Sequence, residues 1–325
     1  MDYCNKPATA IVAARLAQLK EKLNETADSA EPAEVPTKSH LSPARHRQQD
    51  FFVVDVFDAI ALKGDLASLE HPLFALKAGD TKDRHYAYKG ITIDIKPNSA
   101  GMATIHDKDI WIYCISHLVA AKNRGEKISR KVHFTAYDFL VSTNRETGGR
   151  NYKLLKETFD RLAGTRIITN ITTGGIQERR NFGLLDEVKI IYKDEQDTTS
   201  PMISVEVTLP EWLYRSIESG SIKTLSPDYF RIRKPLDRRI YELCAKHCGN
   251  QKKWSVSLAV LHQKSGSTAN IREFRRAVKS LADSHQMPDY SLSFDAKKDM
   301  VNVINKTALI KPRSRRRQSP AAGAK

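Results

Sequence analysis

Residues 270–284 read NIREFRRAVKSLADS, and the architecture of the C-terminal third depends on how that stretch folds. Ile271, Phe274, Val278 and Leu281 recur at helical spacing and form one apolar stripe. Asn270 stands just before them, where its side-chain oxygen can take up free backbone N–H groups and start a helix running to about Ser284. At about 100° per residue, Arg272, Arg275, Arg276 and Lys279 gather roughly 130° away from the stripe. Such a helix packs on one side and presents four cations on the other. Within it, only Glu273 and Asp283 are available to pair with them. Arg at such positions suits a major groove, because guanidinium binds guanine O6 and N7 in bidentate fashion.

The flanking residues supply a context. Leu236 to His247 has helical spacing with Leu236, Ile240 and Leu243 inward, and Trp254-Ser255 is a short extended piece. Leu258 to Lys264 makes a brief helix, and Ser265-Gly266-Ser267 makes the turn into the cationic helix. Beyond it, Tyr290 to Phe294 and Met300 to Ile304 alternate as strands around Asp295 to Asp299, a candidate wing. Helix, turn, helix and hairpin is the order of a winged helix-turn-helix.

The same order occurs upstream. Thr92 to Ile95 is strand-like, and Asp107 to Asn123 is helical with Ile112, Ile115 and Val119 on one stripe. Lys131 to Phe134 is a strand, and Thr135 opens a short helix through Val141. Gly148-Gly149 turns into a helix over Asn151 to Ala163, with Tyr152, Leu155, Phe159 and Leu162 inward. Arg166 to Thr172, Glu187 to Tyr192 and Ile203 to Leu209 are three β-rich runs, separated by Gly174-Gly175 and the polar Asp194 to Ser200 loop. The expected fold class is α+β, two tandem winged helix-turn-helix domains with disordered N- and C-terminal tails. The first domain covers 51–225 and the second 226–310. Residues 1–50 form a disordered or partly helical tail, and 311–325 a basic disordered one.

Charge separates the two domains. The chain of 325 residues carries a formal net charge of +15. Residues 51–225 hold 24 Lys/Arg against 23 Asp/Glu, whereas residues 226–325 hold 22 against 8. A basic domain beside a neutral one points to a polyanionic partner, double-stranded DNA in this context, handled mainly by the C-terminal part. In the first domain Arg145, Arg150, Lys153 and Lys156 are the weaker DNA-binding candidates, because Glu157 and Asp160 share their surface. That domain is expected to make fewer contacts or to serve in assembly. Arg231, Arg233, Lys234, Arg238 and Arg239, with Asp237 the acid among them, are candidates for the DNA backbone. So are Arg313, Arg315, Arg316 and Arg317 of the C-terminal tail.

Several chemistries leave no trace. No G-x-x-x-x-G-K-[S/T] loop occurs, and no two histidines are separated by one apolar residue, the metal pair of rolling-circle nickases. Cys244, His247 and Cys248 fall within one helical turn, a hint of zinc, but without a second pair they read as core residues. No run of about 18 apolar residues and no signal peptide is visible, so the expectation is cytoplasmic, with no membrane partner. The protein is expected not to be an enzyme and to need no cofactor or metal.

Phe51 to Leu76, FFVVDVFDAIALKGDLASLEHPLFAL, with LKAGDTKDR after it, resembles the opening of the replication initiator protein A family of plasmids from Gram-negative bacteria. ATIHDKDIWIYCISHL (Ala103 to Leu118), FTAYDFLVSTNR (Phe134 to Arg145) and GGRNYKLLKETFDRLAGTRIITNI (Gly148 to Ile171) carry the likeness further. It runs from about Phe51 to Ile304. The resemblance implies a tandem winged-helix initiator that binds direct repeats at a plasmid origin and helps open an adjacent A·T-rich stretch. It also implies recruitment of the host initiator ATPase and replicative helicase, and, in many members, repression of their own gene as dimers. Two alternatives remain at this level: a winged-helix transcriptional repressor without initiator activity, and an origin-nicking relaxase.

Overall fold

The computed structural model describes residues 39–46, 60–173, 175–176, 178–192 and 202–310. Most of both expected tails, including the four arginines at 313 and 315–317, lies outside the described residues, as do residues 51–59 and the 194–200 loop. The described chain from His40 onward forms one compact unit.

The chain enters as β1 (Lys63–Asp65) and α1 (Leu66–Glu70), whose first turn is capped by Asp65 accepting the Ser68 amide at 2.8 Å. A hairpin follows, β2 (Arg84–Tyr88) and β3 (Ile91–Lys96), and then α2 (Asp109–Asn123). Helix α2 is buried almost all round, from Asp109 to Ser116 without a break, which suits a helix apolar on every face. Trp111 at its centre meets Phe74 edge-on at 5.3 Å and Trp212 at 6.4 Å.

The first head then runs β4 (Lys131–Thr135), α3 (Ala136–Ser142), α4 (Gly149–Gly164), β5 (Arg166–Thr169), β6 (Arg180–Gly183), β7 (Glu187–Tyr192) and β8 (Met202–Thr208). Thr135 ends the strand and caps α3 by accepting the Asp138 amide at 3.0 Å. After α5 (Glu211–Glu218), β9 (Ile222–Thr224) and a 3-10 turn (Pro227–Arg231) comes the second head: α6 (Pro235–His247), β10 (Lys253–Ser257), α7 (Leu258–Ser265), α8 (Ile271–Ser284), β11 (Tyr290–Asp295) and β12 (Met300–Asn305), closed by α9 (Lys306–Ile310). Ser257 repeats the role of Thr135, accepting the Val260 amide at 3.4 Å.

The two heads share one topology. In each, the strand before the helix pair hydrogen-bonds to the last wing strand, which pairs with the first: β4-β8-β7 and β10-β12-β11, all antiparallel. One expectation needs correction. The β-run starting at Arg166 is not part of the first wing. β5 lies between β3 and β6 in a separate four-stranded sheet, β2-β3-β5-β6. Its alternation buries Ile167 and Thr169, and the same period in β3 buries Ile93 and Ile95, so both strands present one apolar face to the core.

Near residue 225 the chain passes from one hydrophobic core to a second, and the two are joined across that boundary. Leu69 and Ile112, from the first half, belong to the core of Tyr229, Tyr241 and Phe274. β1 pairs with β9 across the same boundary. The stretch 40–46, counted above with the tail, is held in place. Leu41 bridges to Ile232, the Ser42 amide donates to the Arg231 carbonyl at 2.7 Å, and the Arg45 amide donates to Asn144 Oδ1 at 2.7 Å.

Candidate nucleic-acid interface

Helix α8 begins as its sequence indicates. Asn270 Oδ1 accepts the Glu273 amide at 3.0 Å, and Phe274, Val278 and Leu281 are buried. The turn before it depends on Gly266, whose φ of 69° is left-handed. A Cβ there would also meet Pro72 Cβ at 2.6 Å and Tyr86 Oη at 3.2 Å, so the first half of the chain is packed against this turn. Only glycine fits both demands.

Arg272, Arg276 and Lys279 are exposed on the outer face, and Lys279 Nζ sits 5.3 Å from the centre of the Phe294 ring on β11. Arg275 departs from the four-cation expectation. Its Nε and Nη2 donate to the two carboxylate oxygens of Asp299 at 3.1 and 3.0 Å. The pairing acid comes from the wing, 24 residues away, and no count of acids within the helix could reveal it. The wing also contributes cations that the sequence reading overlooked. Lys297 and Lys298 are exposed at its tip, their amides donating to Asp295 Oδ1 at 3.0 and 3.2 Å. The Asp-Ala-Lys-Lys-Asp run between two alternating strands was the available signal.

In the first head, Arg150, Lys153 and Lys156 are exposed on α4, with Asp160 exposed beside them and Leu154 40% exposed. Lys156 Nζ lies 5.9 Å from the Tyr192 ring on the wing. The helix has no side-chain cap at Gly148. Its far end is tied down by Arg161, which grips Asp107 through two hydrogen bonds of 2.8 Å, while Thr158 donates to Asp107 at 2.8 Å. Burial, the largest influence, would raise the Asp107 carboxyl, but the Arg161 hydrogen bonds and charge, the Thr104 amide and the Thr158 hydroxyl together more than offset it and hold the group below its usual range.

Arg145 must be removed from the DNA-binding candidates. Its Nη2 donates to the His106 carbonyl at 2.7 Å and to Asp109 at 2.9 Å, with the guanidinium 5.3 Å over the Phe139 ring. It locks the first helix-turn-helix turn onto the start of α2.

The backbone-contact cluster before α6 likewise divides. Arg233 and Lys234 are exposed, and Arg231 is engaged with the Ser42 carbonyl at 2.9 Å and Asp228 at 2.7 Å. Arg238 and Arg239 are 4% and 2% exposed and cannot reach a phosphate. Arg238 donates to Asp109 at 2.6 Å and to the Ile232 and Phe230 carbonyls. Arg239 donates to Glu242 at 3.0 Å and to the carbonyls of Ser68, Leu69, Glu70 and Lys264. Glu242, itself buried, also accepts from Lys108 Nζ at 2.7 Å and from the Tyr229 hydroxyl at 2.8 Å. Burial lowers the pKa of Lys108 and of Arg239, and the Glu242 carboxylate works against that shift in both. These charges join the two halves of the molecule. Their positions on α6 face the core because 238, 239 and 242 share one helix face.

Cys244 and Cys248 are buried core residues whose thiols burial pushes up, and His247 stacks on Trp254 at 5.0 Å. Among the described residues no group of three or more His, Cys, Asp or Glu is placed to hold a metal ion. Among them, too, no helix is long and apolar enough to cross a membrane.

Residues 63–292 match the family described as "Replication initiator protein A". A relative from Wigglesworthia glossinidia brevipalpis, described as "Putative replication protein", is 42% identical over 255 residues, covering 78% of this chain and 92% of the relative. Among solved structures, domains 2 and 3 of RctB are similar in fold, with a TM-score of 0.51 at 12% identity over 70% of this chain and 92% of that one. The Pi initiator protein in complex with iteron DNA scores 0.45 at 15% identity over 63% of this chain and 92% of that one, too low to equate the folds.

Proposed function

The chain belongs to the replication initiator protein A family, and on that footing we propose that it starts plasmid replication by binding direct repeats (iterons) at the origin. It acts without catalysis of its own: it binds double-stranded DNA through both heads, promotes opening of the adjacent duplex and brings in the host initiator ATPase and replicative helicase. The observation that carries this reading is the presence of two unlike heads of one topology in a single chain. The second of them turns Arg272, Arg276 and Lys279 outward. No symmetry relates the heads, so one molecule reads an asymmetric sequence. Copies then line up head-to-tail on direct repeats.

Two recognition helices on one DNA face have centres about 10–10.5 base pairs apart, so one chain covers on the order of two helical turns. Footprinting on origin DNA, with the stoichiometry on one isolated repeat, tests this. Tandem protected segments, each filled by one protomer, are expected. Two protomers per repeat, or an inverted repeat as the sole tight site, would overturn it. The biology is tested by placing the gene and its flanking DNA on a replicon unable to replicate alone. Maintenance that depends on the gene is expected, and failure would favour a repressor. Metal-dependent nicking of supercoiled origin DNA would establish a relaxase instead.

A further inference from the structure

Asp299 sits where the second wing meets the helix pair. Its φ of 51° is left-handed, a conformation Asp and Asn tolerate better than most residues. Its carbonyl accepts the Leu258 amide at 2.9 Å, holding the start of α7. Its carboxylate takes Arg275 of α8 through two hydrogen bonds. One residue thus ties the wing to both helices of the head. The fork it offers Arg275 is the same bidentate arrangement a phosphate would offer.

The Arg275 and Asp299 side chains are 36% and 45% exposed, so water screens the pair and a DNA phosphate can compete for the guanidinium. The competition is unequal, because Asp299 is held on the same body while a phosphate must arrive from solution. Binding that ignores sequence scales with the number of phosphates neutralised, so each cation withheld from the backbone lowers it. We propose that Asp299 withholds Arg275 from DNA phosphates, holding down sequence-blind binding and leaving discrimination to the unpaired cations of α8. This role rests on the DNA-binding reading above and adds a residue that sets specificity without touching DNA.

The test uses the full chain and Asp299→Asn, since Asn accepts the left-handed backbone but cannot hold a guanidinium as an ion pair. Affinity is measured for a duplex carrying the footprinted repeat and for a scrambled duplex of equal length, between 50 and 200 mM salt. For the scrambled duplex, the slope of log K against log salt is expected to steepen by about 0.9, one more phosphate. The variant's advantage then grows about 3.5-fold as salt falls across that range, and the repeat-to-scrambled ratio drops. Arg275→Ala added to Asp299→Asn should restore the original slope. Asp295→Asn, which removes a charge from the same wing without freeing a guanidinium, should change it less.

An unchanged slope in Asp299→Asn would overturn the proposal. So would an Asp295→Asn effect of equal size, which would mean simple loss of negative charge. A rise in the repeat-to-scrambled ratio would show instead that Arg275 reads a base. A flat salt response in the unmodified chain would overturn the DNA-binding reading itself, and with it the role of Asp299.

Discussion

Helices α4 and α8 hold the same place in the same topology and differ in chemistry. Helix α8 has a side-chain cap at Asn270 and an outer face of exposed cations, and its one paired arginine is answered by the wing. Helix α4 starts on Gly148 with no side-chain cap, mixes Glu157 and Asp160 among its cations and leaves Leu154 partly bare. The difference teaches that element order specifies a reading head, while the residues on its outer face decide what the head can read. A phosphate-rich groove tolerates the α8 face far better than the α4 face, because carboxylates beside lysines repel the backbone.

The largest expected effect tests whether the heads are separable at all. Glu242 neutralises Lys108 from the first half and Arg239 from the second, each buried. Glu242→Ala leaves both charges without that partner, and removing one partner of a buried pair costs about 3–5 kcal/mol. Thermal unfolding followed by near-ultraviolet circular dichroism should show one transition moved down as a whole. Two transitions, with one head unmoved, would break the view that these buried charges couple the two heads.

Acid should act on the same junction before it acts on either outer face. Burial, reinforced by Arg238, lowers His106 to about 4 from 6.5, and burial likewise lowers His71 and His247 to about 4. Asp107, Asp109 and Arg145 are the other charges acting on His106. A histidine held neutral in the folded state binds its proton more readily when unfolded. Its stabilising share is therefore whole above about 6.5 and is lost as pH falls toward about 4. For His106 the shift is worth up to about 3 kcal/mol, at about 1.4 kcal/mol per unit. Melting temperature measured from pH 7 to 4 should fall across that window and fall less in His106→Gln. An equal fall in the variant would remove His106 from the account.

At the heads themselves the effects shrink to single contacts. Arg272→Ala or Arg276→Ala should cost about 1–3 kcal/mol on repeat DNA and relax preference at one position, if a guanine contact is lost. Lys153→Ala and Lys156→Ala should weaken repeat and random DNA alike, and by less. Equal losses on both DNAs for all four variants would erase the proposed division of labour between α8 and α4.

The smallest effects concern the caps. Asn270→Ala should lower stability by about 1 kcal/mol, since the Glu273 amide loses its acceptor. Gly148→Ser has open space for its side chain and should raise stability by a few tenths of a kcal/mol. Denaturant melts resolve both, and an Asn270→Ala without cost would discount the cap.

By itself the sequence determined the helix-turn-helix and hairpin order of each head, the apolar stripes of α4 and α8 apart from the exposed Ile271, the cap at Asn270 and the concentration of charge in the last hundred residues. These are local or periodic properties, set by spacing along one helix or strand, and they survive whatever the chain later packs against. Its long runs of likeness to one family were equally legible. Tertiary structure alone decided which arginines are available. Arg238 and Arg239 stand beside Lys234 in the chain, yet Asp109 and Glu242 draw them into the core, more than one hundred residues from the first of those partners and three from the second. Arg145 is captured by the same Asp109, and Arg275 by Asp299 across the wing. The strand at Arg166 was legible as a strand but not in its sheet, because β6 pairs with it as a local hairpin while its other neighbour, β3, comes from far earlier in the chain, Ile93 standing opposite Thr169. A charged side chain has no periodic signature for its partner. Burying it is tolerable only where an opposite charge or a carbonyl happens to be brought close, and that proximity exists only in the folded molecule.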